Sequence, residues 1–87
     1  MGVVTSESRG SDGQFSVTLS GYDAYIVACN FHYPSVSITA SGCGASRMVY
    51  VPASNWGSLA IFWCASSGTC KVASSQQVNN MAVIGID

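Results

Sequence analysis

The chain has 87 residues, enough for one small domain, and seven of them carry a formal charge: Glu7, Arg9, Asp12, Asp23, Arg47, Lys71 and Asp87. A charged fraction of 8% is far below the roughly one quarter of an average soluble domain. With a net charge of −1 it excludes an electrostatic nucleic-acid binder, and no Lys/Arg cluster is present for an anionic membrane surface. Apolar residues make up 48% of the chain, a core-forming rather than a disordered composition. Val, Ile and Thr total 19 against two Leu, which favours strands, and 15 Ser supply the polarity that charge normally supplies.

Residues 1–14 read as an N-terminal arm, flexible or strand-donating, with an apolar patch at Val3 and Val4. From Phe15 the alternation of Phe15, Val17 and Leu19 with Ser16, Thr18 and Ser20 predicts a half-buried strand. Ser20-Gly21 turns the chain into Tyr22 to Cys29, apolar on both faces apart from Asp23. Val36 and Ile38 alternate with Ser35, Ser37 and Thr39 in a further one-sided strand, followed by a Gly-rich turn around Cys43. Arg47 to Val51 is a short strand ended by Pro52, and Ala53 to Gly57 is a turn. Leu59 to Cys64 has both alternating sets apolar, and Ala65 to Thr69 reads as a hairpin loop leading into Lys71-Val72. Met81 to Ile86 is a last strand. Residues 15–87 are thus expected to form one all-β domain, a disulfide-bridged β-sandwich or jelly-roll-like barrel of about seven short strands.

The cysteines Cys29, Cys43, Cys64 and Cys70 form an even set in a short, Ser-rich chain, the pattern of a disulfide framework in an oxidising compartment. The hairpin reading pairs Cys64 with Cys70, which leaves Cys29 with Cys43. A zinc site built from Cys29, His32 and two further cysteines lacks the paired-ligand spacing of zinc knuckles, so no metal or other cofactor is expected. The N-terminus has neither the basic flank nor the apolar stretch of a signal peptide, no apolar run is long enough to cross a membrane as a helix, and no glycosylation sequon occurs. The expected location is nonetheless extracellular or on a cell or particle surface.

Catalytic signals are thin. Asp23 and His32 supply an acid–base pair in name, but no serine stands in a nucleophile-elbow context, and no enzyme is expected. Two non-catalytic readings remain. The first is a structural subunit that associates with itself through strand edges, because both chain ends are apolar and carry no Lys or Pro gatekeeper. Its candidate residues are Val3, Val4, Val83, Ile84 and Ile86, and the product is an extracellular or surface fibre or coat. Tyr22, Ala24, Ile26 and Ala28 form a surplus apolar face that an 87-residue chain cannot cover by itself. The second is a small secreted binding module that takes a protein or carbohydrate ligand on His32, Tyr33, Asn55 and Trp56.

Overall fold

The central segments of this chain are apolar on both alternating sets, so they must lie inside a sheet rather than at its margin. The computed structural model, which describes residues 2–8, 14–33, 36–51, 57–76 and 78–87, places them there. The strands are β1 (Gly2–Ser8), β2 (Gln14–Leu19), β3 (Ala24–Asn30), β4 (Ile38–Ser41), β5 (Ser46–Val51), β6 (Leu59–Cys64), β7 (Gly68–Ser74) and β8 (Asn80–Ile86). They form two antiparallel sheets, one ordered β1-β8-β3-β6-β5 and the other β2-β7-β4. The fold is all-β, and residues 15–87 hold the seven expected strands while the arm supplies β1.

Successive strands change sheet at every connection except β5 to β6. This corrects one sequence-based expectation: β6 and β7 are not a hairpin. β6 already has β3 and β5 on its two sides, so β7 pairs instead with β2 and β4 in the other sheet. The loop chemistry at 65–67 reverses the chain but leaves open which sheet receives it.

Period-two alternation decides which side chains meet between the sheets. The five-stranded sheet contributes Tyr25, Val27 and Cys29 from β3, Ala60, Phe62 and Cys64 from β6, and Met81 and Val83 from β8. The three-stranded sheet answers with Val17, Leu19, Ile38, Cys70 and Val72. Phe31, Val36 and Val78 close the ends from connecting segments. Ser58 is the buried polar residue among those described, and its hydroxyl donates to the Tyr33 carbonyl at 2.7 Å.

Two expected strand starts are displaced, and side chains explain both. Strand β3 begins at Ala24 rather than Tyr22 because the Tyr22 amide donates to the Tyr25 hydroxyl at 3.1 Å, closing a turn. Strand β4 begins at Ile38 rather than Ser35, since the Val36 and Ser37 amides donate to the hydroxyls of Tyr50 and Ser75 instead of to a ladder. The Tyr25 ring is fully buried, yet its hydroxyl also donates to the Tyr22 carbonyl at 3.0 Å and lies 2.9 Å from Ser67 Oγ. That polar knot ties the 20–23 turn to the β6–β7 connection.

Tyr22 meets Tyr25 edge to face with 6.2 Å between ring centroids, and its own ring lies over Gly85 and Gly2, which are register partners. A β-carbon on Gly85 would overlap the Tyr22 ring. Gly85→Ala is therefore expected to destabilise the fold by about 1–3 kcal/mol, the usual cost of overpacking. Urea denaturation measures this, and an unchanged midpoint would contradict the placement of Tyr22.

Candidate functional site: an uncharged outer face and a thiol cluster

The same alternation that fills the core presents a second set of side chains on the outside of the five-stranded sheet. Register aligns them in rows. Ile84, Ile26, Trp63 and the exposed Ser46 form one row, and Ala82, Ala28, Ile61 and Val49 the next. Asn80, Asn30, Leu59 and Val51 form a third, with Ile86 and Ala24 paired at the opposite end. Val49, Val51 and Ile84 are exposed, at 45%, 49% and 38% of their full areas. The remainder are half-buried, with Asn80 exposed at one end. These rows contain no charged residue. A shallow depression of about 240 Å³ opens at the Asn30–Asn80 end, between Ala28, Leu59, Met81 and Ala82.

The outside of the three-stranded sheet is chemically opposite. Ser16 and Thr18 of β2, Thr39 and Ser41 of β4, and Thr69 and Lys71 of β7 are all exposed there. The molecule therefore has one hydroxyl-rich face and one apolar face, built from the same period.

Both margins of the five-stranded sheet are irregular. The register of β1 on β8 shifts between Val3 and Thr5, and that of β5 on β6 between Arg47 and Val49. Such bulges blunt an edge against pairing with another chain. The arm pairs within its own chain: Val3 lies opposite Ile84, and Thr5 opposite Val83. Of the candidate assembly residues, Ile84 and Ile86 lie on the outer face, whereas Val83 is fully buried in the core. Val3 and Val4 belong to β1.

The ligand-binding candidates are placed less favourably. Tyr33 packs against the core, and its carbonyl accepts from both the amide and the hydroxyl of Ser58. His32 is exposed beyond the end of β3. Asn55 and Trp56 lie outside the described residues. Asp23 and His32 flank opposite ends of β3, on the order of 20 Å apart at about 3.3 Å per residue, so they form no acid–base pair. Cys29 points into the core while His32 does not, and no group of three or more His, Cys, Asp or Glu is placed to hold a metal ion among the described residues.

The four cysteines are free thiols. Cys64 and Cys70 face each other across the two sheets, and the Cys64 thiol donates to the Cys70 sulfur at 3.9 Å. Burial, with a smaller contribution from the Cys70 sulfur, pushes the Cys29 and Cys64 thiols up to about 12, and burial also raises Cys70. The expected Cys29–Cys43 partnership gains no support from the register. Cys29 lies four residues along β3 from Tyr25, the partner of Cys64, which is about 13 Å along the sheet. The Cys43 turn sits at the Cys64 end, where its carbonyl accepts from the Ser66 amide at 3.2 Å.

Trp63, Val49 and Val51 belong to the outer face but not to the sequence-based candidates. The signal available for Trp63 was the two-sided apolarity of Leu59–Cys64. For Val49 and Val51 the bulge hides the phase of β5.

Fold and site together define a small all-β protein of two antiparallel sheets, with an apolar outer face and a buried thiol pair. No protein-family model, curated protein or solved structure matches the chain.

The thiols carry a pH dependence whose sign is fixed. Folded-state values near 12 lie above the ordinary cysteine value of 9.0, so the fold favours the neutral thiol. Their stabilisation is complete below about pH 9 and is lost as pH rises towards 12. The reduced protein should lose stability over that window, less steeply in a Cys64→Ala variant. Chemical denaturation at stepped pH measures it, and equal slopes in both proteins would contradict the burial of Cys64.

Proposed function

We propose that the protein is a non-enzymatic structural subunit that associates with copies of itself into an extracellular or surface assembly, a coat or fibre. The observation that carries this reading is the uncharged apolar outer face of β8, β3, β6 and β5. The largest apolar patch of a soluble monomer is typically about 300–600 Å² and is often functional. A second copy is the best-matched occupant, because a flat face without charge is complementary to itself and offers nothing to a charged partner.

Magnitudes determine how much of the molecule must take part. Four strands at about 4.8 Å spacing and six residues at about 3.3 Å give a plane on the order of 400 Å². Two such faces bury on the order of 800 Å² together, short of the roughly 1,200 Å² at which stable interfaces begin. The face alone therefore makes a weak contact, and an assembly needs further contacts beyond it. Several weak contacts per subunit suit a repeating assembly better than an isolated dimer.

The strand orders favour a coat. Apart from β5, which extends the first sheet, the strands interleave as β1-β8-β3-β6 and β2-β7-β4, an order that resembles a jelly-roll-like sandwich, an architecture used in viral capsid domains. This support is by fold analogy. The sheets are joined by a Cys64–Cys70 bridge in an oxidising environment, which needs the sulfurs to close from 3.9 Å to bonding distance.

Ile26 lies at the centre of the face, between Ile84 and Trp63. Ile26→Lys should leave the fold intact and weaken association by about tenfold or more, as loss of a central apolar contact does. Deleting residues 1–13 should also reduce assembly. Sedimentation velocity over a concentration series, with negative-stain microscopy, tests both. A wild-type protein that stays monomeric at high concentration and forms no particles would overturn the proposal.

A further inference from the structure

Cys43 occupies an unusual backbone position. It has φ of 56° and stands between Gly42 at 82° and Gly44 at 62°, a run of left-handed residues that a cysteine rarely joins. Strain of this kind is kept where surrounding structure enforces it and where a side chain must be aimed. The enforcing contacts are visible. Gly42 packs against the Thr69 carbonyl, Gly44 packs against Ala65, and the Ser66 amide donates to the Cys43 carbonyl. The β4–β5 turn is thereby docked on the loop that joins Cys64 to Cys70. The Cys43 Sγ would lie 3.3 Å from a β-carbon on Gly68, two residues before Cys70, and it is near enough to Cys64 and Cys70 to act on both electrostatically.

Exposure separates the three thiols. Cys64 and Cys70 are completely buried, so a dissolved oxidant does not reach them, whereas Cys43 is part-exposed. The geometry points to Cys43 as the entry thiol through which the Cys64–Cys70 bridge is closed, by exchange with a small disulfide of the oxidised-glutathione class. This inference rests on the bridge proposed above.

The exchange balances without any further oxidant. The Cys43 thiolate attacks one sulfur of the small disulfide, forming a mixed disulfide and releasing one small thiolate. Cys70, whose thiolate the Cys64 S–H can stabilise, attacks Cys43 Sγ and releases the second small thiolate. Cys64 then loses its proton to solvent and attacks Cys70 Sγ, and the electron pair of the broken bond leaves on Cys43. One small disulfide has become two small thiols, Cys64 and Cys70 have been oxidised to a bridge, and Cys43 is again a thiol. Burial keeps the two inner thiols protonated, so closure should quicken as pH rises from 7 to 9 (about tenfold per unit while thiolate formation limits the rate).

The experiment starts from folded, reduced protein and adds oxidised glutathione, with acid-quenched samples analysed by peptide mass mapping. The wild type should form the Cys64–Cys70 bridge, and Cys43→Ser should form it about tenfold more slowly or worse. Cys70→Ser should instead accumulate a glutathione adduct on Cys43. Cys43→Asn, a residue at ease in the left-handed region, guards against a folding defect and should be equally slow. Equal rates in the wild type and both Cys43 variants would overturn the role of Cys43 while leaving the bridge in place. A wild type that forms no Cys64–Cys70 bridge would overturn both.

Discussion

The structure depends on one constraint: β3 and β6 are apolar on both faces, and the chain is long enough to cover only one of them. Tyr25, Val27 and Cys29, with Ala60, Phe62 and Cys64, find their cover in the three-stranded sheet. The intervening residues of the same strands, Ile26, Ala28, Ile61 and Trp63, face away from that sheet and are only half-buried among the described residues. Burying an apolar side chain stabilises by roughly 1.5–3 kcal/mol, so these rows hold a large unrealised driving force. Scarcity of charge follows the same logic, since a charged residue within those rows would oppose cover by another copy.

Sheet-crossing connectivity follows from this constraint. Both sides of β3 and of β6 are taken, by β8 and β6 and by β3 and β5, so the strand that follows each of them lies in the other sheet. Each crossing strings residues of consecutive strands across the core rather than along it. Cys64 and Cys70 consequently face each other between layers, and a bridge there would clamp the two sheets together. A cross-strand bridge within a hairpin would only have reinforced pairing that the ladder already supplies. The polar contacts at that end serve the same purpose: the Tyr25 hydroxyl and the Ser66 amide both tie turns to the β6–β7 connection.

Much of this was legible in the residue pattern, and the failures have physical causes. Val17 and Leu19 against Ser16 and Thr18 marked both the strand and its buried side, and Leu59–Cys64 was legible to its boundaries. The surplus face was legible too, through Ala24, Ile26 and Ala28. Pairing was not, because the Ala65-Ser66-Ser67 turn specifies a reversal and not a neighbour. The starts of β3 and β4 were misplaced because the hydroxyls of Tyr25, Tyr50 and Ser75 take up amides that a pattern assigns to ladders. Val83 was grouped with Ile84 and Ile86 as an assembly residue, although alternation sends it inward with Met81.

In the proposed assembly the outer face of the five-stranded sheet is covered by another copy of the chain. Hydroxyl-radical footprinting at a series of concentrations reads that cover residue by residue. Trp63, Ile61, Val49 and Val51 should be strongly oxidised in dilute protein and progressively protected as concentration rises, while Lys71 and the hydroxyl-rich face keep constant reactivity. Oxidation of Trp63, Ile61, Val49 and Val51 that is high and independent of concentration would contradict the account.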